Sequence, residues 1–322
     1  MENNEFKKDA VSEKTEEIKG NSAFFNFLKD FICGYLMGLA FIIPGFSGGS
    51  IAAIVGIYEK LINAITGLFK NFIKNLIILL PIGGGLILGA LSLMMPIQWG
   101  LENFPIPTVC LFVGLTIGGM PTLTDNLKGK IKPTNILALI IPAAIACALC
   151  FLPIRADVNL IGIGFGEYVL LFLVGILGSA ALVIPGISGS MILLILGYYN
   201  SIISVLTDCL LKGKEVGSAI LVLATVALGI AFGFVIISFI MKYLLTHFKR
   251  GTYFAITGFI IGSLPTVFVS TYKESGMTSL PSDFLYWLIS AVLLILGIAA
   301  SLSLVIFAKK KSAKQSGLSS LN

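Results

Sequence analysis

The chain has 322 residues, a formal net charge of +6, 57% hydrophobic residues and only 12% charged ones. Soluble domains carry about a quarter charged residues. That composition and a mean hydropathy of +0.99 exclude an ordinary soluble domain and predict an all-α polytopic membrane protein. The positive balance does not point to nucleic acid, because most basic residues fall in short loops and tails, where they set membrane topology.

Residues 1–30 are polar, mix Lys7, Lys8, Lys14 and Lys19 with Glu2, Glu13, Glu16 and Glu17, and read as a disordered cytoplasmic tail without a cleavable signal. The first apolar segment, 31–57, is interrupted by Pro44-Gly45-Phe46-Ser47-Gly48-Gly49-Ser50. Pro44 lacks a backbone N–H and clashes with the preceding turn, so the arriving helix is expected to stop there. Gly45 permits the sharp turn, and Ser47 can cap a new helix. In lipid, a broken backbone is tolerated only where protein or a cavity surrounds it. Next, Lys60, Asn63, Lys70, Asn71 and Lys74 share one helical face opposite Leu61, Ile65, Leu68, Phe69 and Phe72, predicting an amphipathic helix over 60–74 lying in the membrane interface.

Three further spans follow at 76–95, 107–120 and 134–152. Gly83, Gly84, Gly85 and Gly89, with Gly114, Gly118 and Gly119, predict close helix packing. Cys147 and Cys150 have C-x-x-C spacing, but inside an apolar helix with no histidine nearby, so packing is expected rather than metal or redox chemistry. No metal site and no cofactor is predicted.

The second half repeats this order. Segment 168–199 is broken at Pro185-Gly186-Ile187-Ser188-Gly189-Ser190-Met191, spans 217–241, 252–270 and 284–308 follow, and 309–322 is a basic tail. Gly56-Ile57-Tyr58-Glu59 lies 141 positions before Gly197-Tyr198-Tyr199-Asn200, and Gly114, Gly118 and Pro121-Thr122 lie 144 before Gly258, Gly262 and Pro265-Thr266. Two motif pairs at nearly one offset mark an internal duplication, 31–155 and 156–308.

If both broken segments are re-entrant hairpins, 18 Lys and Arg face one side and 4 the other; if both cross fully, the split is 13 to 9. The positive-inside rule favours hairpins and cytoplasmic termini. Each repeat is then one re-entrant helical hairpin plus three transmembrane helices. Three is odd, so the second repeat is inverted, and the two tips are expected to meet near the midplane.

Those tips carry the functional expectation. Two matching breaks in a duplicated membrane protein point to a transporter's binding site. Helix N-termini beginning at the tips offer unpaired N–H groups and a positive dipole end. With hydroxyls from Ser47, Ser50, Ser188 and Ser190 and close approach at Gly48, Gly49 and Gly189, they predict an anion site that needs no basic side chain. Glu59 is the one acid tied to the repeated motif. It is a candidate for coupling to a proton or monovalent cation or, alternatively, a solvated interfacial charge beside Lys60. Tyr58, Tyr198 and Tyr199 read as interface anchors, and His247 as a residue of a basic cytoplasmic loop facing solvent or headgroups. An intramembrane enzyme is not expected, because the spans lack the His, Asp or Arg such chemistry needs.

The motifs Met37-Gly38-x-Ala40, Pro44-Gly45-x-Ser47-Gly48-Gly49-Ser50, Gly56-Ile57-Tyr58-Glu59, Pro185-Gly186-Ile187-Ser188-Gly189-Ser190, Leu196-Gly197-Tyr198-Tyr199 and Gly262-Ser263-Leu264-Pro265 resemble the polyprenyl-phosphate transporter family, PopT, over residues 31 to 308. The resemblance implies a multi-pass protein of the bacterial plasma membrane. Such a protein returns undecaprenyl phosphate to the cytoplasmic leaflet for carrier recycling in cell-envelope synthesis. Asn200 stands where the family's second repeat often has Glu. The same anion site would also suit a secondary transporter or channel for a small inorganic anion.

Overall fold

The computed structural model describes residues 24–38, 48–149, 151–153, 155–186, 189–207, 213, 215–274 and 281–319. The described residues are helical, with irregular connections. Helix α1 covers 24–38. It is followed by α2 (Gly48–Ile54), α3 (Tyr58–Gly67), α4 (Phe72–Asn103), α5 (Pro105–Gly119), α6 (Pro121–Thr124) and α7 (Pro133–Leu149). The second half contains α8 (Phe165–Val183), α9 (Gly189–Ile195), α10 (Tyr199–Ser204), α11 (Val216–His247), α12 (Lys249–Glu274) and α13 (Phe284–Ser319). Among the described residues, five stretches are long and apolar enough to cross a bilayer: Phe72–Ser92, Pro105–Thr124, Val216–His247, Lys249–Tyr272 and Phe284–Ser303. The molecule is a multi-pass helical membrane protein.

Proline does not break every helix it enters. Pro81 and Pro96 lie inside α4, Pro142 inside α7 and Pro265 inside α12. Neighbouring helices in a membrane protein can re-satisfy the backbone that such a proline frees. At Pro185 the helix does end: Val183 is the last residue of α8, and Ile184 is already extended at φ −82°, ψ 115°. Two residues further on, Gly186 has φ +89°, a value side chains resist. Pro44 and Gly45 lie outside the described residues.

The long helices meet through glycines. A Cβ on Gly85 would lie 2.0 Å from the Phe31 carbonyl oxygen, and one on Gly34 would lie 2.0 Å from that of Ile82, so α1 and α4 touch backbone to backbone. Gly229 plays this part between α11 and α8, against the carbonyl of Phe172. The predicted close packing holds at Gly85, Gly89, Gly114 and Gly118, whereas a Cβ on Gly83 would meet nothing within 4 Å.

Two other pairings cross between the halves of the chain. Gly114 and Gly118 of α5 abut the backbone of Leu294 and Ile298 in α13. Gly258 and Gly262 of α12, 144 positions further on, abut Leu139 and Ala143 in α7. Each half thus lends its last helix to the other half.

Helix α3 departs from the sequence reading in extent and surroundings. It ends at Gly67, and Phe72 and Lys74 already belong to α4. Its apolar face is turned into the protein. Tyr58, Ile62 and Ile65 are buried, and Ile62 joins a cluster with Met37, Val183, Met241, Tyr253 and Ile260. Burying an aliphatic side chain of this size stabilises by about 1.5–3 kcal/mol, so packing against α11 and α4 fixes this helix. The segment 242–251 is likewise no loop: α11 runs to His247 and α12 starts at Lys249, with only Phe248 between them.

Candidate functional site

The two broken segments close in the same way. After α2, the N–H of Gly56 donates to the Ala53 carbonyl and that of Ile57 to Ala52. After α9, Gly197 donates to Leu194 and Tyr198 to Leu193. Both are Schellman turns, which need a left-handed residue, and Gly56 and Gly197 supply it at φ +78° and +80°. The repeated Gly-x-Tyr motif is therefore a helix stop. Helices α2 and α3 are bent 116° apart across it.

Helix α2 has 7 residues, about 10 Å at ~1.5 Å per residue, against a hydrocarbon core of ~30 Å. Six of its seven residues, Gly48, Gly49, Ser50, Ala52, Ala53 and Ile54, are buried, and Ile51 is half-buried. The helix lies against α5, α6 and α8. Gly119 is required there, because its Cβ would sit 1.9 Å from the Ile54 side chain. On the other broken segment, a Cβ on Gly186 would lie 2.4 Å from the backbone of Phe259 in α12. Pro185 and Gly186 are both buried.

A hydrogen bond also ties the two broken segments together. The hydroxyl of Tyr58, at the start of α3, donates to the carbonyl oxygen of Val183 at 2.7 Å, and both residues are buried. The carbonyl thus satisfied lies beside the second break. Tyr58 is accordingly a buried tie between the halves and not the interface anchor expected of it. Tyr198 is buried too, in a cluster with Leu171, Val174 and Val222.

Among the predicted site residues, Gly48, Gly49 and Ser50 form the first turn of α2, and Gly189 and Ser190 the first turn of α9. Ser47 and Ser188 lie outside the described residues. Ser50 is 4% exposed, and its Oγ is buried with no hydrogen-bond partner among the described residues. A buried hydroxyl left unpaired costs about 1–3 kcal/mol. Such an atom needs a reason to be kept.

The polar residues at the end of each Gly-x-Tyr motif make different contacts. Glu59 Oε2 accepts from Lys249 Nζ at 3.1 Å, Oε1 lies 2.8 Å from the same ammonium, and Oε1 accepts from the Tyr253 hydroxyl at 2.7 Å. Both donors favour the ionised carboxylate, so Glu59 is a paired anion and not a freely solvated one. Its neighbour Lys60 is also paired, to the buried carboxylate of Asp30 on α1. Asn200, at the equivalent place, donates to Asp157 at 3.2 Å. Asp30, Lys249, Tyr253 and Asp157 carry no sequence signal linking them to the motif, since Tyr253 and Glu59 are 194 positions apart.

The family model described as undecaprenyl phosphate translocase-like matches residues 37–283, most of the chain. The chain belongs to that family. It is also similar to a polyprenyl-phosphate transporter of Staphylococcus aureus, 32% identical over 87% of this chain and 95% of that protein. A polyprenyl-phosphate transporter of Vibrio cholerae is 27% identical over 88% of this chain and 98% of its own length. No solved structure matches the chain. All of α2 through α12, both Gly-x-Tyr stops and the second break fall inside the span that the undecaprenyl phosphate translocase-like model covers.

Proposed function

We propose that the chain is a lipid transporter that flips undecaprenyl or another polyprenyl phosphate from the outer to the cytoplasmic leaflet of the bacterial plasma membrane. It thereby recycles the carrier of cell-envelope synthesis. Family membership and two relatives named polyprenyl-phosphate transporters support the substrate. The phosphate is held at the two breaks by Ser47, Gly48, Gly49, Ser50, Ser188, Gly189 and Ser190.

The observation that carries this site is the buried hydroxyl of Ser50, without a hydrogen-bond partner among the described residues, at the head of a buried helix. A phosphate oxygen would accept its proton and gain a charge-assisted bond. A monophosphate can be held this way by backbone and hydroxyl donors while its prenyl tail stays in lipid.

The architecture is proposed to be two inverted repeats, 31–155 and 156–308, with both Pro-Gly segments re-entrant and both termini cytoplasmic. The reciprocal glycine contacts of α5 with α13 and of α12 with α7 support a two-fold relation. The short reach of α2, the 116° bend and the 18-to-4 charge split support hairpins. Glu59 is proposed to couple the movement to a proton or monovalent cation, exchanging Lys249 for the ion.

The test is leaflet-resolved transport of polyprenyl phosphate in proteoliposomes, with chloride and phosphate flux measured beside it. Lipid movement without inorganic flux is expected. Losing one charge-assisted bond should weaken binding by about 1.5–3 kcal/mol, so Ser50→Ala should bind roughly tenfold or more weakly, and Gly49→Val more weakly still. Inorganic flux without lipid movement, or equal affinity for the prenyl alcohol, overturns the reading.

A further inference from the structure

A second polar site lies away from the breaks, where the corner between α11 and α12 meets the start of α7. An open cleft of about 420 Å³ there is lined by Lys132, Asn135, His247, Lys249 and Arg250, among others. That volume falls within the ordinary range of ligand pockets, roughly 300–1,000 Å³. The Gly258 and Gly262 contacts hold α12 against α7, so the cleft has a rigid base.

Its charge is unbalanced. Arg250 donates to the carbonyls of Leu127, Gly129 and Lys130, which fixes the loop before α7 and leaves the guanidinium charge uncompensated. Lys249 meets Glu59 at 2.8 Å. Lys132 makes no ion pair among the described residues. His247 turns Nδ1 toward the Tyr243 carbonyl at 3.0 Å and stacks on the Tyr243 ring, which leaves Nε2 unused. Three permanent cations thus face one carboxylate. Independently, Asn135 is only 9% exposed, lines the cleft, and makes no side-chain hydrogen bond among the described residues. Its amide atoms are open to the cleft rather than sealed in the protein, so they are available to bond a ligand there.

We propose that this cleft is a second anion site, for a phosphomonoester headgroup, at the cytoplasmic end of the protein. Its assignment to the cytoplasmic side and to a lipid source rests on the transport reading above; the anion chemistry does not. Lys132 and Arg250 supply charge, the Asn135 amide donates a hydrogen bond, and Lys249 is shared with Glu59. An anion in the cleft competes with Glu59 for Lys249 and so loosens the ion pair between α3 and α12. A headgroup arriving here is registered at the closing turn of the first broken segment.

The experiment uses the full chain with its native cysteines replaced and Thr134→Cys placed at the cleft rim. Maleimide labelling of this cysteine is followed with farnesyl phosphate, farnesol, inorganic phosphate and phosphatidylglycerol as competitors. Protection by farnesyl phosphate at concentrations at least about tenfold below those of inorganic phosphate, and none by farnesol, is expected, and identifies the lipid headgroup. Lys132→Gln and Asn135→Asp should each weaken that protection about tenfold or more, while Ser50→Ala should leave it unchanged. Equal protection by farnesyl phosphate and inorganic phosphate keeps the anion site and assigns it to free phosphate. Protection by phosphatidylglycerol as good as by farnesyl phosphate overturns the proposal in favour of a general anionic surface. No protection by either phosphate also overturns it. Protection without lipid flipping in proteoliposomes leaves the cleft standing and sinks the transport reading alone. In sealed vesicles the cysteine should label from the side that carries the termini; labelling from the opposite side overturns the cytoplasmic assignment.

Discussion

The ends of the two broken segments share a backbone and differ in chemistry. Both finish in a Schellman turn with glycine left-handed, Gly56 in one and Gly197 in the other. Beyond the first turn stand two ion pairs, Glu59 with Lys249 and Lys60 with Asp30. Beyond the second, the equivalent residue Asn200 makes only the weaker contact with Asp157 among the described residues. The residue 144 positions before Tyr253 is Val109, which offers no hydrogen bond. The shared backbone turn ends a helix in both segments.

Substitutions at the two turns test the backbone half of the comparison most severely. Gly197→Ala forces a side chain into left-handed backbone, at about 1–2 kcal/mol, and puts its Cβ 2.4 Å from the Ala156 carbonyl, adding about 1–3 kcal/mol more. Gly56→Ala meets nothing closer than 3.7 Å and should incur only the backbone cost. Thermal unfolding of the purified variants should rank them in that order; equal losses would mean that the second turn relaxes freely.

The interchanged helices should respond alike. Gly118→Val and Gly262→Val each drive a side chain onto a neighbouring carbonyl, at 2.4 and 2.2 Å for the Cβ alone, and each should cost about 1–3 kcal/mol. A clear loss at one position with none at the other would break the two-fold relation.

Tyr58→Phe sharpens the comparison from the middle. It removes the tie to Val183 and leaves a buried carbonyl unpaired, so a loss of about 1–2 kcal/mol is expected. Tyr199→Phe, at a partly exposed position, should cost less than about 0.5 kcal/mol. Denaturation of the two variants side by side checks this.

The smallest stability effects belong to the charges. Lys249 and Glu59 are 52% and 36% exposed, and pairs of this kind contribute about 0.2–1 kcal/mol, so Glu59→Gln should leave folding nearly unchanged. Its effect should fall on transport, whose dependence on a proton or cation gradient should flatten. An unchanged dependence returns Glu59 to a purely structural ion pair. Asn200→Glu brings a second carboxylate toward Asp157 and should destabilise by a few tenths of a kcal/mol without creating a second coupling site.

Sequence alone determined the helical class, five of the six unbroken spans and the second break, because each is local. An apolar run of about twenty residues spans a bilayer whatever surrounds it. A glycine at the end of a helix can adopt a left-handed turn from its own covalent structure. What the tertiary structure decided is which of these residues meet. The polar face of α3 suggested a helix in the interface, yet its apolar face is filled by Met37, Met241 and Tyr253 from three other helices. The roles of Tyr58 and Glu59 depend on partners 125 and 194 positions away. The cleft at Lys132 exists only because α7 and α12 begin side by side. Hydrogen bonds and ion pairs act over a few ångströms, and no periodicity in a chain encodes a meeting between residues so far apart along it.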